Sequence, residues 1–286
     1  MQNLKQKLPW WLKIASKLIL ARLPLSYQIW KKSGLFEHGH MQSVEYAYGV
    51  FSKHFELVNP PPNFISLELG PGDSLLSAII SKSFGGSISY LVDSGNYASS
   101  DLKIYHQAEK LLADKKLLTP IIQNQASLEE ICQSYCSHYL TSGLESLRSI
   151  KSQSVNFIWS QAVLEHIRKA EFLDTMLELR RIIRPDGVCS HVVDLKDHLG
   201  GSLNNLRFTE NLWESNFMAS SGFYTNRIRY SEMIDIFAQA GFSVEVVKLI
   251  QWQTLPTPKA KMSENFRNLS DEELCISGFS VLLRPN

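Results

Sequence analysis

Apolar residues along this chain follow two alternating patterns from residue 64 to the C-terminus. Short apolar runs are typical of buried strands, and the longer segments between them repeat apolar positions every three or four residues, as amphipathic helices do. The predicted strands cover residues 64–69, 87–92, 138–141, 155–159, 188–193, 243–250 and 278–283. Because strands and helices alternate, the pattern predicts an α/β fold in which a mostly parallel sheet carries helices on both faces.

Helical periodicity marks the segments between these strands. The predicted helices cover residues 74–84, 99–118, 127–136, 171–183 and 230–240. Arg184-Pro185-Asp186-Gly187 is expected to end the fourth helix and to turn the chain into the fifth strand. Residues 195–229 lack a regular apolar period and are rich in Gly, Asn, Ser and aromatic residues, so we expect an insertion there. A connection of this length is typical of a functional lid.

Composition narrows the classes of partner. The chain has 286 residues, of which 44% are hydrophobic, enough to bury one large core. Its 29 basic and 28 acidic residues create no global field, so we expect no nucleic-acid partner. The four cysteines lack CxxC spacing and are expected to be reduced thiols in a cytoplasmic protein. No apolar run is long enough to span a bilayer, and the start does not resemble a signal peptide.

The first 36 residues differ from the rest in charge. They carry seven basic residues and no acidic one, interleaved with Trp10, Trp11 and aliphatic side chains. A basic helix with tryptophans is typical of peripheral contact with a membrane, here at the inner face. The alternative is a helix that packs on the domain while its lysines are solvated. The sequence leaves both interpretations open.

A glycine-rich turn is the strongest candidate for a binding site. Residues 68–74, Glu-Leu-Gly-Pro-Gly-Asp-Ser, follow a predicted strand and precede a helix, where Gly70 and Gly72 would let the backbone approach a ligand closely. Asp93 ends the second strand, where a carboxylate can accept both hydroxyl protons of a ribose. Glu68 suits a cationic ligand and would repel a dinucleotide pyrophosphate. A structural turn without a ligand is the alternative.

Four motifs in this order resemble the class I S-adenosylmethionine-dependent methyltransferase family, most closely its branch that acts on small molecules, lipids and sugars. The motifs are Glu68–Ser74, Asp93, Val155–Ile167 and Leu179–Gly187, and the resemblance covers roughly residues 60–195. It implies a Rossmann-like seven-stranded, mostly parallel sheet with an antiparallel C-terminal strand. It also implies S-adenosyl-L-methionine as the cofactor.

The resemblance carries site residues over to this chain. The cofactor-binding candidates are Glu68, Gly70, Pro71, Gly72, Asp93, Ser94, Leu144, Glu145, Ser160 and Gln161. In the family an acidic residue often follows the glycine after the third strand, whereas this chain has Leu144 after Gly143. Adenine recognition is therefore where the chain departs from the family pattern. Ser160 and Gln161, just past the fourth strand, would face the transferred methyl group.

Domain bounds follow from the same resemblance. We expect a basic amphipathic helical segment at residues 1–58 and the methyltransferase domain at 59–286. The distance from Asp93 to Gly143 is about twice what the family leads us to expect, which indicates a helical insertion at about 97–127. The acceptor would bind under the lid at about 195–230.

The sequence says less about the acceptor and the catalytic groups than about the cofactor. His198, Asp194 and His166 are candidates for removing a proton from a hydroxyl acceptor, although His166 also suits a structural role. Asp194, Asp197 and His198 could bind a divalent metal, but such groups often lie together without one, and we expect none. Lid residues expected to bind the acceptor are Arg207, Tyr224, Asn226 and Arg229, with lid packing as their alternative role.

These expectations describe a methyltransferase that O-methylates a small-molecule, glycan or lipid-linked acceptor. Two other classes share the fold. One is an NAD-dependent oxidoreductase, against which Glu68 and the fourth-strand motif count. The other is a non-catalytic protein that retains the cofactor site, since a fold does not imply a function.

Overall fold

The computed structural model describes residues 9–20, 40–117 and 127–286. Its strands are β1 Ile65–Leu69, β2 Ile88–Val92, β3 Ser137–Leu140, β4 Val155–Gln161, β5 Ile183–Asp194, β6 Phe242–Gln251 and β7 Ile276–Pro285. Its helices are α1 Trp10–Leu20, α2 Val44–Val58, α3 Leu76–Ser83, α4 Lys103–Asp114, α5 Leu128–Ser134, α6 Leu144–Ser149, α7 Lys169–Ile182, α8 Glu210–Trp213, α9 Asn216–Ala219, α10 Tyr230–Gln239, α11 Glu264–Arg267 and α12 Asp271–Cys275. All seven predicted strands and all five predicted helices overlap these elements.

The strands form one sheet in the order β3-β2-β1-β4-β5-β7-β6 within the described residues. Strands β1 to β5 pair in parallel. Strand β7 runs antiparallel to both β5 and β6. The Rossmann-like, mostly parallel sheet is therefore confirmed. The chain order reverses between β1 and β4, and an open α/β sheet forms its ligand crevice beyond the carboxyl ends of the strands at such a point.

Strand β5 begins earlier than the sequence predicts. Ile183 already pairs with Val155, and the next pair joins Val188 to Phe157. The four residues 184–187 therefore lie opposite a single residue of β4, in an irregularity of the ladder. Gly187 is required there, because a Cβ would lie 2.9 Å from the carbonyl oxygen of Asn156. The predicted turn is thus accommodated as a bulge within the strand.

Two apolar cores cover the faces of the sheet. One contains buried residues of α7 and α10, among them Phe172 and Phe237. The other contains residues of α2, α3 and α4, among them Phe51, Ile79 and Tyr105. Helix α2, which we had grouped with the N-terminal segment 1–58, thus packs into the core of the domain. Within the expected insertion at 97–127, α4 buries Tyr105 in the same core, and residues 118–126 lie outside the described part.

A third, smaller apolar cluster joins α1 to the insertion after β5. Ile14 is buried there against Leu199, Trp213 and Phe223. The rings of Trp10 and Phe208 meet edge to face, with centroids 6.1 Å apart. Of the expected membrane segment 1–36, residues 1–8 and 21–36 lie outside the described residues. No helix of the described part is long and apolar enough to cross a membrane.

Candidate cofactor and acceptor site

The turn after β1 has a backbone shape that requires glycine. Gly70 and Gly72 have φ angles of +67° and +66°, a region that L-residues rarely adopt. A Cβ on Gly70 would lie 2.6 Å from Cγ2 of Val163, so there is also no space for a side chain. The amide of Gly70 donates to the carbonyl oxygen of Val92 at 2.8 Å, which holds the turn against the end of β2.

Asp93 connects this turn to two other loops. Its Oδ2 accepts a hydrogen bond from the amide of Gly72 at 3.0 Å. Its Oδ1 accepts one from the amide of Ser94 at 2.7 Å. Its carbonyl oxygen accepts one from the amide of Gly143 at 2.8 Å. The carboxylate therefore lies where the loops after β1, β2 and β3 meet.

Glu68 is buried at the end of β1, and Oγ of Ser77 in α3 donates a hydrogen bond to its Oε2. Burial raises the pKa of Glu68 to about 8, and repulsion by the Asp93 carboxylate adds to the shift. Ser77 was not a sequence candidate, although it lies on the helix that follows the glycine turn. A ligand cation beside Glu68 would favour its charged form.

The loops after β2 and β3 carry the remaining cofactor candidates. Ser94 is exposed, Pro71 is buried and Leu144 is half-buried at the start of α6. Glu145 is exposed and forms an ion pair with Arg148. The hydroxyl of Tyr139 holds the loop after Asp93, because it donates to the carbonyl oxygen of Gly95 at 3.1 Å. Sequence analysis missed Tyr139, which falls within a predicted strand.

Ser160 and Gln161, at the end of β4, contact two histidines that sequence analysis missed. Ser160 is fully buried, and its Oγ lies 2.8 Å from Nδ1 of His191. Gln161 Oε1 lies 3.3 Å from Nε2 of His54 on α2. Nδ1 of His54 in turn lies 2.7 Å from Oγ of Ser190. Ser160 therefore lies in the interior of the sheet. The one sequence signal that could have indicated His54 and His191 is a polar residue at an otherwise apolar core position.

Burial also sets the charge of these histidines. It lowers the pKa of His54 to about 4 and the pKa of His191 to about 3. The charges of Lys53 near His54, and of His54 near His191, act in the same direction. Both rings are neutral at pH 7.

A second group of ionisable side chains lies beyond β4 and β5. Glu165 is buried in the 3-10 turn Leu164–His166. Nδ1 of His166 lies 2.9 Å from the carbonyl oxygen of Tyr224, and the ring centroids of His166 and His198 lie 4.6 Å apart. Asp194, at the end of β5, forms an ion pair of 3.3 Å with Lys196. The structure thus brings His166 and His198 together beside Glu165, and Asp194 lies close enough to Glu165 to affect its pKa.

Asp197 has a different position from its neighbours. It is buried, and its Oδ1 accepts from the amides of Leu199 and Ser202 at 3.2 and 3.0 Å. Its Oδ2 accepts from the amide and the side chain of Asn204. These four bonds use the carboxylate to shape the loop after β5.

Three of the four lid candidates are buried inside the insertion. The Asn226 side chain donates to the carbonyl oxygens of Leu164 and Ile167 at 2.8 and 3.0 Å. The Arg229 guanidinium donates to backbone carbonyls that include those of Leu195 and Ile276. The Tyr224 hydroxyl donates to Glu214 at 2.8 Å. These contacts hold the insertion together. They correspond to lid packing, the alternative role that the sequence left open for these residues.

Arg207 is the fourth lid candidate and remains partly exposed. Its Nε donates to Oδ1 of Asn204 at 2.9 Å, and its guanidinium lies over the Trp10 ring at 5.0 Å. It thus lies where α1 meets the insertion.

Among known proteins, the chain is similar in fold to several solved structures. No protein-family model matches the chain, and no curated protein matches it significantly. The CurJ carbon methyltransferase is 13% identical, with 85% of this chain and 54% of that chain covered and a TM-score of 0.43. The YcgJ protein from Bacillus subtilis is 14% identical, with 85% and 99% covered and a TM-score of 0.46.

A third similar structure is the phosphoethanolamine N-methyltransferase 2 of Haemonchus contortus, solved with phosphomonomethylethanolamine and S-adenosylhomocysteine. It is 14% identical, covers 83% of this chain and 53% of its own, and has a TM-score of 0.46. The chain therefore spans about half the length of this enzyme and of the CurJ protein. Function has to be argued from the site.

Proposed function

We propose that this protein is an S-adenosylmethionine-dependent methyltransferase. One observation carries the proposal: the amide of Gly72 donates to the Asp93 carboxylate, 3.0 Å away, between the loops after β1 and β2 and beside the reversal point of the sheet. This contact places a strained glycine turn and a ribose-binding type of carboxylate at the same end of the sheet. Such an arrangement suits a nucleoside ligand whose polar chain lies along the turn.

The buried Glu68 distinguishes a sulfonium cofactor from a dinucleotide. Its raised pKa means that Glu68 ionises readily only beside a positive charge: the ammonium and sulfonium of S-adenosylmethionine would stabilise its charged form, whereas a pyrophosphate would oppose it. Gly70 leaves space for the backbone to approach the ligand, and the Asp93 carboxylate would accept hydrogen bonds from the ribose hydroxyls. The cofactor, once bound, supplies a methyl group already activated by the sulfonium.

We further propose that the acceptor atom is an oxygen of a small molecule, a glycan or a lipid-linked compound. Methyl transfer is an in-line displacement, so the chain has mainly to orient the acceptor and exclude water. A hydroxyl acceptor must also lose its proton. Asp194, His166 and His198 lie beyond β4 and β5, next to the cofactor crevice, and supply groups that bind hydroxyls or accept protons.

Calorimetry tests the cofactor assignment against the oxidoreductase alternative. We expect the full chain to bind S-adenosylhomocysteine in the micromolar range and NAD at least a hundredfold more weakly. Asp93→Ala removes a charged acceptor from the site and should weaken S-adenosylhomocysteine by about 2 kcal/mol, or about thirtyfold. Asp114→Ala is the matched control, because Asp114 is exposed at the end of α4 and its loss should leave the affinity unchanged. Preferential binding of NAD would contradict the proposal.

Turnover requires a separate experiment, because a non-catalytic protein could also bind the cofactor. Labelled methyl groups from S-adenosylmethionine would be followed into fractions of a cell extract with wild-type protein and with Asp93→Ala. We expect one labelled compound that appears only with wild-type protein, and its chemistry would identify the acceptor. Cofactor binding without any labelled product would favour the non-catalytic class.

Membrane contact through residues 1–36 remains part of the proposal. Trp11 and Ile19 of α1 are 56% and 65% exposed, while Ile14 of the same helix packs on the insertion. Exposed apolar side chains on a basic helix favour an interface between lipid and water. Flotation with anionic liposomes should recover the full chain but not a variant lacking residues 1–36. Equal recovery of both would exclude this role.

A further inference from the structure

Glu165, His166 and His198 form the only group of three potential metal ligands found among the described residues. One ligand atom of each lies within 4.8 Å of the others. Glu165 and His166 belong to the turn after β4, and His198 lies in the loop after β5. The parallel arrangement of β4 and β5 therefore brings together residues more than thirty positions apart in the chain.

The surroundings of Glu165 suit a bound cation. Its side chain is 2% exposed, and no hydrogen bond of normal geometry reaches either carboxylate oxygen among the described residues, although the backbone groups of Glu165 and Asp194 lie close enough to favour its charged form. A buried carboxylate without partners is costly unless it is neutral or paired with a cation. No side chain of the described residues donates a hydrogen bond to Oε1 or Oε2 of Glu165, whereas Glu68 accepts one from Ser77.

His166 is oriented as a metal ligand would be. A carbonyl oxygen can only accept, so the 2.9 Å contact with Tyr224 places a proton on Nδ1 of the neutral ring. The lone pair of the neutral ring is then on Nε2. Histidines that ligate metals usually donate their other ring N–H to a carbonyl or a carboxylate in this way, which fixes the tautomer and the ring orientation.

The turn that carries Glu165 and His166 is held from outside. Asn226 in the insertion donates from its side chain to the carbonyl oxygens on either side of the pair, Leu164 and Ile167. The amide of Asn226 donates to the carbonyl oxygen of Glu165 at 2.7 Å. A ligand pair positioned by such bonds loses little conformational freedom when it binds an ion.

We propose that Glu165, His166 and His198 bind a divalent transition-metal ion such as Zn²⁺. Two imidazoles and a carboxylate suit Zn²⁺ or Fe²⁺, whereas Mg²⁺ and Ca²⁺ prefer oxygen ligands. Ligand bonds of about 2.1 Å would bring the donors to about 3.4 Å from one another, so a small closure of the site is needed. His198 is half-buried in a loop and can supply that movement.

This assignment replaces the expectation of no metal and differs from the Asp194, Asp197 and His198 set that the sequence suggested. The carboxylate of Asp197 is already occupied by four hydrogen bonds. Three protein ligands leave a coordination position open. An acceptor oxygen would occupy that position, a consequence that rests on the proposed methyl transfer. Metal binding itself does not depend on it.

Zinc titration of the full chain tests the site. Untagged protein treated with a chelator and dialysed would be titrated with Zn²⁺ by calorimetry, and with Co²⁺ by visible absorption. We expect one ion per chain, with binding at least tenfold weaker in Glu165→Gln and in His198→Ala. His106→Ala is the matched control, because His106 is exposed on α4 and its loss should leave binding unchanged. Far-UV circular dichroism and urea denaturation of each variant report whether its fold is intact, whether or not S-adenosylhomocysteine binds.

The outcomes separate this site from the proposed function. Absence of Zn²⁺ binding in wild-type protein, or equal binding in wild type and His198→Ala, would overturn the metal site whether or not S-adenosylhomocysteine binds. Zn²⁺ binding that is lost in His198→Ala supports the metal site even where S-adenosylhomocysteine does not bind, and the proposed function alone then fails. If Glu165→Gln does not fold, His198→Ala decides, since its side chain lies in a loop.

Discussion

At the scale of single residues, the site depends on positions where only one residue type fits. Gly70 combines a positive φ with a neighbour, Val163, that would collide with any Cβ. Glu68 and Glu165 are both buried carboxyl groups, but the Ser77 hydroxyl donates to the first, whereas no side chain of the described residues donates to the second. Burial raises the pKa of Glu165 well above its ordinary value, and the charge of Asp194 adds to the shift. Glu68 and Glu165 are therefore similarly buried but differ in their hydrogen-bond partners, and we assign them to different ligands.

A glycine substitution tests the turn. Gly70→Ala should weaken S-adenosylhomocysteine binding at least tenfold by calorimetry, because the turn must shift to relieve the collision with Val163 and the strained φ. Gly49→Ala is the control, since nothing lies within 4 Å of an added Cβ on this residue of α2. Its binding should not change, and its free energy of unfolding should rise by about 0.5 to 1 kcal/mol. Normal binding by Gly70→Ala would remove the turn from the site.

At the scale of elements, the insertion after β5 is a packed unit that supports the turn after β4. Trp213 is fully buried in it and donates from its indole nitrogen to the carbonyl oxygen of Thr225 at 2.7 Å. Arg227 is buried beside it and pairs with Glu210 at 2.6 Å. Asn226 then bridges the insertion to the turn Leu164–His166. The insertion thus positions Glu165 and His166 instead of merely covering them.

Removal of this bridge should destabilise the protein. Asn226→Ala deletes two buried or partly buried donors to backbone carbonyls and the buried acceptor of the Ile228 amide. The unsatisfied groups should lower the free energy of unfolding by about 2 to 3 kcal/mol, measured by urea denaturation. Asn216→Ala replaces an exposed residue at the start of α9 and should cost under about 0.5 kcal/mol. Equal stability of the two variants would show that the bridge contributes nothing.

At the scale of the whole molecule, α2 and the sheet bury two neutral histidines between them. The pKa of His54 falls to about 4 and that of His191 to about 3, mainly because burial disfavours the charged ring. Both values lie below the ordinary 6.5, so the unfolded chain binds more protons than the folded chain at pH 4 to 6.5. The stability that the two neutral histidines contribute is therefore complete above about pH 6.5 and is lost as the pH falls towards these lower values.

The two histidines should make the folded protein less stable in acid. Below pH 6.5 the contribution of each histidine to the free energy of unfolding should fall by up to about 1.4 kcal/mol per pH unit, and urea denaturation at pH 7, 6 and 5 measures it as a difference between variants. His54→Gln removes one of the two groups, so its fall should be smaller than that of wild type. The exposed His106→Gln should follow the wild-type curve. The comparison between variants removes the contributions of Glu68 and Glu165, whose raised pKa values act in the opposite direction. Identical slopes in wild type and His54→Gln would contradict the role of His54.

Much of the sheet could be predicted from the sequence. Strands β1 to β7 and the helices between them follow from apolar periodicity, because that pattern records which side of each element faces the core. The bulge at residues 184–187 could not be predicted, since it depends on how β4 and β5 are paired. The place of α2 in the core likewise depends on the surface that α3 and β5 present to it.

The sequence by itself determined the glycine turn and the acid at the end of β2, because a turn and a strand end are set by residues adjacent in the chain. Only the tertiary structure decided that Asn226 and Arg229 are buried supports, and that Ser160 contacts His191 inside the sheet. It also decided that Glu165, His166 and His198 meet. These facts depend on contacts between residues tens of positions apart, and no local pattern of side chains records such distances.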